Sequence, residues 1–335
     1  MVEPVPPAAP DNRRKNMILF GLKLLVSAGL IAYLLFTQID SMDEIWAAMG
    51  GANPWLLLLA FSLNTIGYLL CSWRWQILLR AQGFIVPLIE LIRAYTIGIF
   101  FNSFLPGLMS GDFIRAMDIS DRVPSYARSF LILFVERLTG MFGLWLLAVL
   151  ALPMIGWDIV AQTKIGWLLL LVGCILAGIW TLFFHRRLAH WTDPIFRLPL
   201  IGKLRGIVVK ITETAKAFSE RRTAVFACMA ISVVFQANVV LHYYLIGLAL
   251  GINVSPIAYF AIIPVSLFVM MIPASINGIG VREQVFVFLF GTFGVSAAAA
   301  ISLAWIAFGM VLLQAVVGGI LFGLRKKRAP APAQG

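Results

Sequence analysis

Apolar residues along this chain fall into runs matched to the thickness of a bilayer, not into the one-sided or alternating patterns of a soluble fold. Six runs, at residues 17–36, 55–71, 138–157, 165–184, 224–250 and 301–324, are almost wholly apolar. A hydrocarbon core of about 30 Å is crossed by about 20 such residues in a helix. Two further stretches, 88–105 and 257–272, are shorter, and each ends at a proline, Pro106 or Pro273, followed by a glycine-containing segment. Proline lacks the donor that continues a helix and glycine admits turns that other residues resist, so each stretch reads as a half-helix that breaks.

Charge orients these elements. Arg13, Arg14 and Lys15 precede the first run, and residues 38–54 carry Asp40, Asp43 and Glu44 but no Lys or Arg. Residues 73–83 carry Arg74 and Arg80 and read as a cytoplasmic loop, whereas 153–164 has only Lys164. Residues 185–222 hold nine Lys or Arg against three acids, and Arg325, Lys326, Lys327 and Arg328 follow the last run. Under the positive-inside rule the six runs alternate, with both termini cytoplasmic. A full crossing at 88–105 would put the nine-positive loop outside. That stretch therefore enters from the cytoplasm and returns, and by the same parity 257–272 enters from outside and returns outward. The expected fold is an all-α polytopic membrane protein with six full spans and two inverted re-entrant hairpins, eight membrane segments in all. The membrane domain runs over 16–324, in halves 16–160 and 161–324, between a disordered head (1–15) and a basic, disordered tail (325–335). Within the cytoplasmic loop, Leu204, Ile207, Val208, Ile211, Ala215 and Phe218 recur at helical spacing opposite Lys203, Arg205, Lys210 and Lys216. This reads either as a surface helix on an anionic leaflet or as a loop helix packed on the bundle.

Composition agrees: of 335 residues 61% are hydrophobic and only 12% charged, where a soluble domain is about a quarter charged. The net charge of +11 is not a nucleic-acid footprint, because the basic residues lie between apolar runs, where they set topology and meet anionic leaflet lipids. The first run is too long for a signal peptide and lacks a small-residue cleavage site, so it reads as a retained span. Cys71, Cys174 and Cys228 lie within apolar runs at spacings that fit no metal or redox motif and read as buried packing thiols.

The two break segments match. Leu105 to Ala116 reads LPGLMSGDFIRA and Ile272 to Glu283 reads IPASINGIGVRE, so that Pro106 aligns with Pro273, Ser110 with Asn277, Gly111 with Gly278 and Arg115 with Arg282. Two like motifs in opposed orientations are the sign of an inverted repeat, and transporters of that build place broken helices and the substrate site near the midplane. Asp112 is placed to cap the first restarted helix, and Asn277 or the Gly278–Gly280 turn to open the second. Helix starts carry free N–H groups and partial positive charge, and arginine offers a planar fork of donors, so the pair describes a site for an anionic headgroup. Against this stand two plainer readings: Arg115 as an interfacial anchor, and Arg282–Glu283 as a local ion pair. Glu136 and Arg137, at the head of the run from 138, belong either to the cavity or to the interface. Gln236, Asn238 and His242 read either as interhelical hydrogen bonds or as cavity lining, the former favoured, and Gly319 with Gly323 as a close-packing pair. No P-loop, zinc-protease motif, nucleophile elbow or aspartate-rich metal box is present, so no enzyme activity, metal or cofactor is expected.

Phe100 to Ala116 (FFNSFLPGLMSGDFIRA), Val135 to Gly140 (VERLTG) and Pro273 to Glu283 (PASINGIGVRE) resemble the flippase-like family named for the transmembrane region of lysylphosphatidylglycerol synthases. The resemblance covers 16–324. It departs at Met109-Ser110-Gly111-Asp112, where the family often shows a glycine pair. It implies a bacterial inner-membrane protein that moves a lipid between leaflets, with a phospholipid, a hopanoid or a polyprenyl-linked glycan as substrate. The synthases continue into a soluble transfer domain. Here the chain stops at Gly335, so synthase activity is not carried over. The substrate-binding set is Arg115, Arg282, Asp112, Ser110, Gly111, Asn277, Gly278, Gly280, Glu283, Asn102, Glu136 and Arg137. The alternatives are a non-transporting subunit that recruits a lipid-modifying or glycosyl-transfer enzyme, and a transferase acting on a prenyl phosphate.

Overall fold

The computed structural model describes residues 42–104, 110–123, 126–154, 160–161, 164–184, 218, 221–272 and 278–324. The run 17–36, both tails, Pro106, Pro273, Asn277 and the amphipathic segment up to Ala217 lie outside the described residues. Among the described residues there are ten α-helices and no strand: α1 Met42–Gly50, α2 Pro54–Ala81, α3 Leu88–Phe104, α4 Ser110–Asp118, α5 Tyr126–Ala151, α6 Ile165–Phe184, α7 Arg222–Ala249, α8 Pro256–Met270, α9 Val281–Gly291 and α10 Ala297–Gly323. Among the described residues, four helices can cross a membrane by length and composition: Pro54–Ala81, Arg128–Met154, Thr223–Ala249 and Ala297–Gly323. Ile165–Thr181 and Pro256–Met270 are shorter and apolar.

Local sequence explains the helix starts. Asn53 caps α2, its side-chain oxygen accepting from the N–H of Trp55 at 3.0 Å and of Leu56 at 3.4 Å, with Pro54 at the first helical position. Ser255 caps α8 ahead of Pro256, and Ser296 caps α10.

Two boundaries differ from the sequence expectation. α2 continues past Cys71 to Ala81, so residues 73–81 are helix, not loop, and Arg74 is buried at 4% exposure. α5 begins at Tyr126, well before Leu138, so Glu136 and Arg137 sit near its middle. In both cases the helix carries buried charge while its apolar run continues past it. Cys174 is exposed on α6, whereas Cys71 and Cys228 are buried.

Among the described residues, two large hydrophobic clusters hold the bundle, beside a small one of Ile45, Ala298 and Ile301. One joins Leu144, Val240, Tyr259, Ile263, Phe286, Phe290 and Leu303, from α5, α7, α8, α9 and α10. The other joins Trp75, Leu79, Leu91, Ala116, Ile132, Leu133 and Cys228, from α2, α3, α4, α5 and α7. α7 lies along α2, and α10 along α3. The break after α3 returns the chain as α4 in direct backbone contact, because a Cβ on Gly111 would collide with the Gly98 carbonyl oxygen. α9 packs likewise against α8, after a turn in which Gly278 (φ +73°) and Gly280 (φ +82°) take left-handed conformations open to glycine. The close contact of α10 with α3 falls on Gly318, against the Thr96 carbonyl, and on Gly319, against Phe100. A Cβ on the expected partner Gly323 would meet nothing close among the described residues.

Candidate functional site

A cavity of about 670 Å³ draws its walls from α2, α3, α4, α5, α7, α8, α9 and α10. Its charge comes from four places. Arg74 hangs from α2, Asp112 and Arg115 from the short returning helix α4, and Glu136 and Arg137 from the middle of α5. Arg282, in the first turn of α9, lines the same space.

The side chains form an alternating chain. Glu136 accepts from Arg74 through one carboxylate oxygen at 3.0 Å and from Arg115 through the other at 2.7 Å. Asp112 accepts from Arg115 at 3.1 Å and, through its second oxygen, from Nε of Arg137 at 2.6 Å. The Arg115 guanidinium is also sandwiched between the rings of Trp75 and Tyr95, its centre 4.4 and 4.3 Å from the two centroids. Arg74 donates at 2.8 Å to the Ser232 hydroxyl, which itself donates to the Cys228 carbonyl. Arg282 stacks 4.4 Å from the centroid of Phe308. Charges taken out of water cost several kcal/mol each unless paired and hydrogen-bonded; Arg74, Arg115 and Glu136 are each paired, while Nε of Arg74 and of Arg115 is buried with no hydrogen-bond partner among the described residues.

The cavity lining carries four arginines and two carboxylates, a formal surplus of two positive charges. The rest of the wall is amphipathic and apolar, with Tyr68, Tyr95, Tyr243, Phe235, Met270 and Phe308 among it. The Gln236 amide lines it too, donating at 3.0 Å to the Gly140 carbonyl. Among the described residues no group of three His, Cys, Asp or Glu is placed to hold a metal. Both cavity carboxylates are engaged by arginine, a donor set that suits anions.

The expected site residues divide. Asn102, Asp112, Arg115, Glu136, Arg137 and Arg282 line the cavity. Glu136 and Arg137 line the cavity, and neither Arg115, an expected anchor in the plainer reading, nor Asp112 is exposed. Ser110 and Gly111 build the hairpin: the Ser110 hydroxyl bonds to the Phe101 carbonyl at 3.2 Å, and Gly111 makes the backbone contact with Gly98. Gly278 and Gly280 shape the second turn. Glu283 does not face the cavity. Its carboxylate accepts from the Gly280 N–H at 2.7 Å and caps α9. Asn277 lies outside the described residues.

One assignment at the helix starts is corrected. Asp112 is inside α4 and does not cap it; Asn102 does so from across the hairpin, its side-chain oxygen accepting from the Gly111 N–H at 2.7 Å. The Gly111 and Gly280 N–H groups are thus both taken, and the positively charged groups that line the cavity are arginine side chains. Arg74 was not among the expected site residues. Its signal was the run Ile77-Leu78-Leu79 beyond Trp75, which carries apolar helix past an arginine. Asn238 and His242 make interhelical bonds, as expected, to the carbonyls of Leu63 and Ala60, both at 2.8 Å.

The family model of the lysylphosphatidylglycerol synthase TM region matches residues 20–318. A UPF0104 membrane protein of Pyrococcus horikoshii is 23% identical over 302 residues, covering 83% of this chain and 89% of the relative. A UPF0104 membrane protein of Methanothermobacter thermautotrophicus is 24% identical over 310 residues, covering 86% of each. Both relatives are archaeal. No solved structure matches the chain at a significant level.

Proposed function

Because the chain belongs to the family of the lysylphosphatidylglycerol synthase TM region, we propose that it is a lipid translocator that takes a phosphate-bearing headgroup into the arginine-lined cavity and releases it to the other leaflet. The observation that carries this reading is the surplus of arginine over carboxylate in a cavity enclosed by apolar helices. A polar chamber within a membrane bundle is tolerated where it serves a pathway. Guanidinium groups match phosphate oxygens, and the tyrosine, phenylalanine and methionine walls suit the glycerol and upper acyl region of a lipid. In this reading α3–α4 and α8–α9 are opposed re-entrant hairpins that complete a topology of six full spans with cytoplasmic termini. The setting is the plasma membrane of a bacterium. The chain acts without catalysis.

The test is a fluorescent phosphatidylglycerol flip assay in liposomes with wild type, Arg137→Gln, Arg282→Gln and the double variant. We expect a fall in flipping of about tenfold or more in the double variant, with a folded protein by thermal unfolding. Unchanged flipping there sinks the reading. An inert wild type that copurifies with a lipid-modifying enzyme would make the protein a recruiting subunit instead.

A further inference from the structure

The two carboxylates of the network are not equivalent. Glu136 is held between the guanidinium groups of Arg74 and Arg115, and all three side chains are 7% exposed or less. These three line the cavity from its most buried wall. Asp112 has one oxygen on Arg115, within its own helix, and the other on Arg137, whose side chain is 38% exposed. The outer bond, at 2.6 Å, is the shortest of the four. The most exposed cationic group of the network is therefore Arg137, with a carboxylate oxygen already on its Nε.

We infer that Asp112 is a tethered competitor for the headgroup phosphate, occupying Arg137 in the empty cavity and yielding it when the lipid enters. This rests on the reading of the cavity as a headgroup site. Carboxylate and phosphate oxygens are like acceptors for a guanidinium fork, so one can replace the other with little change in geometry. The exchange has a use. Without Asp112, Arg115 and Arg137 would face each other across a low-dielectric space with no anion between them, a state that burial penalises. With it, the empty site is neutralised locally, and the bond made by an arriving phosphate replaces a bond given up. Affinity is held down, so that a headgroup can leave as well as enter, the requirement of any site on a conducting path. Glu136 stays on Arg74 and Arg115 throughout and holds the position of the fork.

The experiment measures retention of fluorescent phosphatidylglycerol by the purified full-length protein in phosphatidylcholine nanodiscs, and flipping in liposomes, for wild type, Asp112→Asn, Arg137→Gln and the double variant. Competition predicts that Asp112→Asn binds the lipid about tenfold more tightly and flips it more slowly, and that the gain disappears in the Arg137→Gln background. Equal affinity in wild type and Asp112→Asn overturns the inference. So does a gain that persists undiminished without Arg137, since that reports only the loss of a negative charge. Equal retention by wild type and Arg137→Gln removes the headgroup from Arg137 and overturns the headgroup assignment together with the inference. If Asp112→Asn does not fold, wild type still decides the matter. Adding phosphatidylglycerol must then change the arginine-paired carboxylate band in the infrared difference spectrum, and an unchanged band overturns the competition.

Discussion

Arg74 and Glu136 meet at 3.0 Å although 62 residues separate them, and both side chains are almost completely buried. The bond ties α2 to α5, and through the second oxygen of Glu136 it ties both to the returning helix α4. Substituting Glu136 by Ala would leave two buried guanidinium groups facing each other. The expected destabilisation is about 3–5 kcal/mol, seen as a large fall in the thermal midpoint in detergent. Arg74→Met should behave similarly by orphaning one oxygen of Glu136. A Glu136→Ala protein as stable as wild type would show that the pair contributes nothing to the fold.

The hairpin of α3 and α4 depends on the absence of a side chain at Gly111, where a Cβ would meet the Gly98 carbonyl oxygen. Gly111→Ala should cost about 1–3 kcal/mol through overpacking. It should also shift Asp112 and Arg115, its neighbours in the same helix. Gly323→Ala, with open space around the new methyl, is the matched control and should be neutral or slightly stabilising. The comparison is made by thermal unfolding of both variants beside wild type.

Asn102 caps α4 from the facing helix. Asn102→Ala should lose about 1 kcal/mol, and hydrogen exchange at the Gly111 amide should accelerate. Asn102→Asp keeps an acceptor oxygen and should preserve protection of that amide. If Asn102→Ala leaves the exchange rate unchanged, the cap lies elsewhere.

Asn238 and His242 bond to backbone carbonyls of α2 and not to the cavity charges. Interhelical hydrogen bonds in membranes average about 0.6 kcal/mol, so Asn238→Leu should cost little in stability and leave lipid flipping intact. A large loss of flipping in this variant would move the pathway toward α2 and α7.

Much of the site could be read from short-range pattern. The match between Leu105–Ala116 and Ile272–Glu283 located the two breaks, and the arginines at equal spacing after them, Arg115 and Arg282, do line one cavity. Charge next to charge within an apolar context singled out Glu136 and Arg137. Roles were less legible than positions. Asp112 and Glu283 occupy related places after their breaks, yet Asp112 joins the arginine network while Glu283 folds back onto the Gly280 N–H. Local preference allows a carboxylate in a first helical turn to do either. Arg80, a genuine helix-end cation, and Arg74, six residues earlier, look alike in sequence. Only the packing of α7 and α5 against α2 separates them.

By itself the sequence determined the solvent and the family: the length of the apolar runs demands a bilayer, and three ordered motifs specify the relatives. Tertiary structure alone decided which side chains face inward. Membrane helices are apolar on all sides, so no polar stripe marks the interior face as it does in a soluble helix. The partners of Arg74, Glu136 and Asn102 were therefore settled only when α2, α3, α4 and α5 came into contact. There the cost of burying a charge leaves few arrangements in which each arginine finds its carboxylate.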